Sequence, residues 1–274
     1  MIISLRRQRK AARATSNSPM TLTRQFWRTH AILPAAGFAL VLVLIAVFGL
    51  DRTLAHALYF DSSSNQWLGG GNGMWWARDV IHTGGRSLVR VVAGGVLIAW
   101  FATFFSERLR PWRRHAGFAF LAVALATGIV GGLKAVTNVD CPWDLAEFGG
   151  DRPYVTLFGD RPDDLPRAKC FPGSHASSGF ALMFGYFLLR DRNRRKARWA
   201  LIGAIVVGVI FSIGQEARGA HFISHDLTAA AIVWFTQLLL YVGMLAPRTS
   251  AGGLQREGAG TAFENTGLDS AGLE

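Results

Sequence analysis

The chain has 274 residues, of which 50% are hydrophobic and 17% charged, against roughly 25% charged in ordinary soluble proteins. Its formal net charge is +11. The composition argues against a soluble enzyme. The cations are scattered in short groups along the chain, which argues against a nucleic-acid binder with one basic face.

Residues 1–30 are basic, with Arg6, Arg7, Arg9, Lys10, Arg13, Arg24 and Arg28 and no acidic residue among them. The apolar run that follows is long enough to span a bilayer and lacks a small-residue cleavage site. It therefore reads as a retained helix rather than a removed signal. A span needs about 20 mainly apolar residues. Residues 31–50, 88–106, 117–137, 176–189 with their flanks, 200–213 and 227–245 meet that need. The expected fold is all-α, an integral membrane bundle of about six transmembrane helices. Three regions follow: a basic cytoplasmic tail (1–30), a membrane-embedded domain (31–246), and a disordered cytoplasmic tail rich in Gly, Ala and Ser (247–274).

The connections carry the topology. Residues 51–87 hold Gly69-Gly70-Gly71-Asn72-Gly73, a turn without the Gly-Lys-Ser/Thr of a phosphate-cradling loop, and Trp67, Trp75 and Trp76, suited to an interfacial belt. Arg108, Arg110, Arg113 and Arg114 separate the second and third spans, and Arg190, Arg192, Arg194, Arg195, Lys196 and Arg198 separate the fourth and fifth. The long connection 138–174 is instead rich in Asp. This alternation is the positive-inside pattern with both termini cytoplasmic. It assigns 51–87, 138–174 and 214–226 to the other face, the periplasm or exterior if the membrane is the inner (plasma) membrane.

The two cysteines, Cys141 and Cys170, fall in one outer connection. In an oxidising compartment their pairing would close a loop of about thirty residues, worth roughly 3 kcal/mol in the chain-entropy model. The alternative is two unrelated small buried residues. Neither C-x-x-C nor H-E-x-x-H occurs, so no metal site is expected.

Three polar clusters stand at outer helix ends, where ionisable groups beside apolar spans call for a functional explanation. The first is Lys134 with Cys141-Pro142. A lysine at a helix end can also simply snorkel, but here the topology sets two further clusters on its side. The second is Phe171-Pro172-Gly173-Ser174-His175, where Gly173 and Ser174 open a helix whose free N–H groups suit an anion and His175 can donate a proton. Its plainer reading is a serine cap beside an incidental histidine. The third runs from Arg218 through His221, His225 and Asp226, for which the plainer reading is a structural polar network. Cations, imidazoles and a carboxylate together make an inventory for phosphoryl chemistry at a membrane surface.

These residues resemble the phosphatidic acid phosphatase type 2 and haloperoxidase superfamily, whose pattern is Lys-x6-Arg-Pro, Pro-Ser-Gly-His and Ser-Arg-x5-His-x3-Asp. Here the first motif reads Lys134-x6-Cys141-Pro142, with cysteine in place of arginine. The second reads Pro172-Gly173-Ser174-His175, with the middle pair exchanged. The third is looser, with Arg218 three residues before His221 and one residue inserted before Asp226. The resemblance implies a lipid phosphatase without cofactor or metal, working through a phosphohistidine on the non-cytoplasmic face. Lys134, Arg218, Gly173 and Ser174 would bind phosphate, and Arg152 or Arg161 could replace the missing arginine. His175 would protonate the leaving oxygen, His221 would be the nucleophile oriented by Asp226, and His225 is the second candidate nucleophile. The implied partners are the membrane and a lipid phosphate or diphosphate, not nucleic acid. Two other readings use the same residues: a lipid phosphotransferase, and a non-catalytic lipid-binding or transport relative. A haloperoxidase fits least, because those relatives are soluble.

Overall fold

The computed structural model describes residues 22–70 and 75–246; most of the basic tail, all of the 247–274 tail and part of the glycine turn lie outside the described residues. Five helices among the described residues are long and apolar enough to cross a membrane: α1 (Arg24–Phe48), α3 (Trp75–Phe105), α4 (Arg110–Val136), α6 (Arg194–Glu216) and α7 (Ile223–Met244). The shortest has 22 residues, about 33 Å at 1.5 Å per residue, enough for a hydrocarbon core of about 30 Å. Large apolar side chains such as Leu40, Val43, Val47, Val91, Ile98 and Phe105 are exposed on α1 and α3. That is the surface a helix presents to lipid.

The fourth expected span is shorter than the rest. Helix α5 (174–189) is built of pieces of 7, 3 and 6 residues, the middle one a 3₁₀ turn at Ala181–Met183. Together they reach only about 24 Å. What holds α5 inside the bundle is close backbone contact. A Cβ on Gly179 would lie 2.9 Å from Gly208 Cα of α6, the small-residue packing that membrane helices use in place of a hydrophobic driving force.

Helix boundaries moved where polar residues interrupt an apolar run. α1 begins at Arg24, with Thr23 capping Phe26 N, so residues 24–30 are helix rather than tail. α3 begins at Trp75 instead of 88, because Arg78, Asp79, His82 and Arg86 sit on a helix that the apolar count alone excludes. Between α1 and α3, Gly49 adopts φ +61 and turns the chain into α2 (Leu50–Leu54). A two-residue hairpin follows, β1 (Phe60–Asp61) antiparallel to β2 (Gln66–Trp67).

The end of the bundle holding the α5 C-terminus is packed with aromatics: Phe26, Phe118, Phe187, Trp234 and Tyr241 are buried together. Arg190, which the sequence groups with solvated loop cations, is 3% exposed. Its guanidinium lies 4.4 Å from the Phe26 ring centre and 4.7 Å from that of Tyr241.

At the other end the 138–174 connection is an ordered cap. It places Cys141 and Cys170 as a disulfide with Cα atoms 5.2 Å apart. It also buries Leu145 and Phe148 against Ala55, Phe60 and Phe222. Trp67 packs here against Gly219 rather than serving an interfacial belt.

Candidate active site

The site forms where the C-terminal end of α4 and the N-terminal ends of α3, α5 and α7 meet the α6–α7 connection. Lys134, in the last turn of α4, places Nζ 3.2 Å from Ser174 Oγ at the start of α5. Gly173 N donates to His225 O at 3.0 Å, tying the first turn of α5 to that of α7. A side chain at Gly173 would collide with Asp226 Oδ1. Glycine is required here by close approach, not by its backbone angle.

His175 is the second residue of α5. Its ring stacks on Phe211 at 4.5 Å and meets the His82 ring at 4.8 Å, and its Nε2 lies 3.3 Å from Ile81 O. The 217–222 connection is fixed from two sides, by Gly69 N donating to Ala217 O at 2.7 Å and Trp143 N donating to Gly219 O at 2.9 Å. These contacts hold Arg218 and His221 at the mouth of the bundle.

His221 and His225 are both buried, their ring centres 5.7 Å apart, with the Cys170 backbone beside both rings. The charge of Lys134 acts on both imidazoles, and that of His175 acts on His221. Burial, followed by the charge of Lys134, holds the His221 imidazole well below its ordinary value. It is neutral, the state a nitrogen nucleophile needs. Burial likewise lowers Arg218, and Arg78 and Arg86 lower it further; a guanidinium remains charged regardless.

Several buried polar atoms here have no hydrogen-bond partner: Arg218 Nε, His221 Nδ1, His225 Nδ1 and both Asp226 carboxylate oxygens. Native proteins leave few such atoms, and each needs an explanation. Ser212 lies beside Asp226 but donates its hydroxyl to Gly208 O at 3.0 Å.

Two expectations need correction. Asp226 is not joined to His221: the inserted residue starts α7 at Ile223 and turns the carboxylate beneath Gly173, while His221 stays outside the helix. Nor do Arg152 and Arg161 reach toward the site. Both bond Asp140, Arg152 Nη1 at 2.6 Å and Arg161 Nε and Nη2 at 2.9 and 3.0 Å. They brace the cap.

Sequence reasoning also missed residues. Arg78, His82 and Arg86 share one face of α3, and their spacing of four was the available signal. Behind the site, Asp51 accepts from Ser224 N at 3.0 Å and Ser224 Oγ at 2.6 Å. Tyr59 lies against Glu216. Beside His225 a cavity of about 370 Å³ opens between α1, the cap and α7, with a lining that includes Leu42, Ile45, Leu145, Phe158, Phe222 and His225.

Residues 115–248 match the model of the PAP2 superfamily. These residues are a PAP2 domain. Lys134, His175, Arg218, His221, His225 and Asp226 all fall inside it, while α1 and α3 lie outside. Among solved structures, the chain is similar to a transmembrane PAP2-type phosphatidylglycerolphosphate phosphatase from Bacillus subtilis. The two are 17% identical with a TM-score of 0.49, over 78% of this chain and 95% of that one. No curated protein matches the chain.

Proposed function

We propose that this protein is a membrane lipid phosphatase that hydrolyses a lipid phosphomonoester or diphosphate through a phosphohistidine on the non-cytoplasmic face. The observation that carries this reading is the convergence, inside the PAP2 domain, of Lys134, Ser174, His175, Arg218 and a neutral His221 at one end of the bundle. Lys134 and Arg218 neutralise the phosphoryl oxygens, helped by the N–H groups of the first turn of α5, and such preorganised charge is usually the largest catalytic contribution. A ring nitrogen of His221 attacks phosphorus as the bond to the lipid oxygen breaks, and His175, entering the step as its imidazolium, gives that oxygen a proton and is left neutral. Water then attacks the phosphohistidine and passes a proton to His175. The P–N bond breaks, releasing inorganic phosphate and neutral His221.

His221 is favoured over His225 because the charges of both Lys134 and His175 act on it, whereas His225 lines the apolar cavity. That cavity suits a hydrocarbon chain beside the reacting group, which supports a lipidic substrate. The arginine alternation of the connections supports cytoplasmic termini and an outward-facing site. Labelling of a cysteine introduced at Asp160, from outside intact cells, should succeed.

The test is phosphate release by purified protein from a panel that includes phosphatidic acid, phosphatidylglycerol phosphate and polyprenyl diphosphate, with and without EDTA. Release that EDTA leaves unchanged is expected. A phosphorylated lipid product without free phosphate would show transfer to an acceptor instead. No turnover of any member would refute hydrolysis.

A further inference from the structure

The cysteine at position 141 leaves the PAP2 domain one guanidinium short, and the cap arginines are engaged by Asp140. Cations nevertheless crowd the site from a helix outside that domain. Arg86 Nη2 lies 3.0 Å from His82 Nε2, and the His82 ring meets the His175 ring. Arg86 is close enough to both His175 and Arg218 for its charge to be felt by each. Arg78 also approaches Arg218, but it holds Asp79 at 2.9 Å. Among the described residues no carboxylate pairs with Arg86 or Arg218. Like charges gathered without a counter-ion repel each other, so an anion placed among them would be favoured.

We propose that Arg86 of α3 is a phosphate ligand of this site, taking the place of the arginine absent at position 141, with His82 orienting its guanidinium. The inference rests on the phosphatase reading and extends it, because it draws a helix outside the PAP2 domain into substrate binding. His82 bonds Arg86 and adjoins His175, so the new ligand sits on the leaving-group side of the phosphoryl centre, where a diphosphate carries its second charge.

The test is equilibrium binding of inorganic phosphate to the purified full chain in detergent. Arg86→Ala should weaken it roughly 10- to 100-fold, the range of a lost charge-assisted hydrogen bond. Arg86→Lys should recover part of the loss, and Arg90→Ala, one turn further along α3, should bind like the parent. Arg86 is exposed, so its replacement leaves the fold intact. Unchanged binding in Arg86→Ala, or equal losses in Arg86→Ala and Arg90→Ala, would overturn the assignment. The two readings fail separately. Arg86-dependent phosphate binding with no lipid turnover removes the hydrolase but keeps the site, whereas full turnover by Arg86→Ala removes only this site. A parent protein that neither binds phosphate nor hydrolyses lipids removes both.

Discussion

The two ends of the bundle use the same residue types in opposite ways. At the aromatic end, Arg190 is sandwiched between Phe26 and Tyr241, Tyr241 Oη donates to Asp191 at 2.7 Å, and His30 Nε2 lies 2.5 Å from Tyr186 Oη. At the opposite end His221, His225 and Asp226 are buried and Arg218 is half-buried, and all four keep polar atoms without a hydrogen bond. A polar group buried with partners fixes structure, whereas a cluster of them buried without partners calls for an explanation, of which a ligand is one. Atoms without a hydrogen bond occur at the aromatic end too, at Asp191 Oδ1 and His115 Nδ1, so what sets the other end apart is that they gather beside Lys134, Ser174 and Gly173.

The sharpest break in this comparison should come from removing one cation at each end. Lys134→Ala or Arg218→Ala should lower kcat/KM by about 10²- to 10³-fold, as for loss of one preorganised charge. Thermal stability should stay level or rise, because a like-charge neighbour has gone. Arg190→Ala should do the reverse, costing about 3 kcal/mol through a vacated buried site while activity per folded molecule is kept. Denaturation in detergent, paired with phosphate release, measures both. Equal stability losses at the two ends would erase the distinction.

A smaller effect sharpens it. Ala46→Trp narrows the cavity beside His225 from the α1 side. It should raise KM by about tenfold for a long-chain lipid phosphate and leave a short-chain, water-soluble analogue unaffected. An equal effect on both substrates would mean that the cavity does not receive the chain.

The smallest effect concerns the cap. Burial would raise the Asp140 carboxyl, but the hydrogen bonds and charges of Arg161 and Arg152 outweigh it and hold the group below its ordinary 3.8. A carboxyl depressed in the folded state stabilises it fully above the unfolded value and loses that contribution as pH falls through the folded value. Cap stability should therefore decline only below about pH 4. Asp140→Asn should flatten that decline, read as protease sensitivity of the 138–174 segment against pH. An unchanged acid profile would show that the clamp does not stabilise the cap.

The membrane bundle was legible in the sequence because long apolar runs state their own requirement, as in α4 and α7. Lys134, His175 and His221 were legible because they stand at the ends of such runs in a recognisable order. What could not be read came from contacts distant in sequence. Arg152 and Arg161 were plausible phosphate ligands until Asp140 was seen to occupy both. Arg86 and His82 were hidden because they interrupt the apolar run that marks a span. Asp226 stood at nearly the right separation from His221, but one inserted residue at a helix start redirects a side chain by about 100°.

The most direct test of the central claim, that the end holding Lys134, Arg218 and His221 performs phosphoryl transfer, is to trap the intermediate. Purified protein quenched in alkali during turnover of a radiolabelled lipid phosphate should carry an acid-labile, base-stable phosphoryl group, and peptide mapping should place it on His221. His221→Ala should carry none, and His225→Ala should still be labelled. Label on His225 would reassign the nucleophile. Turnover with no phosphohistidine on either residue would contradict the account.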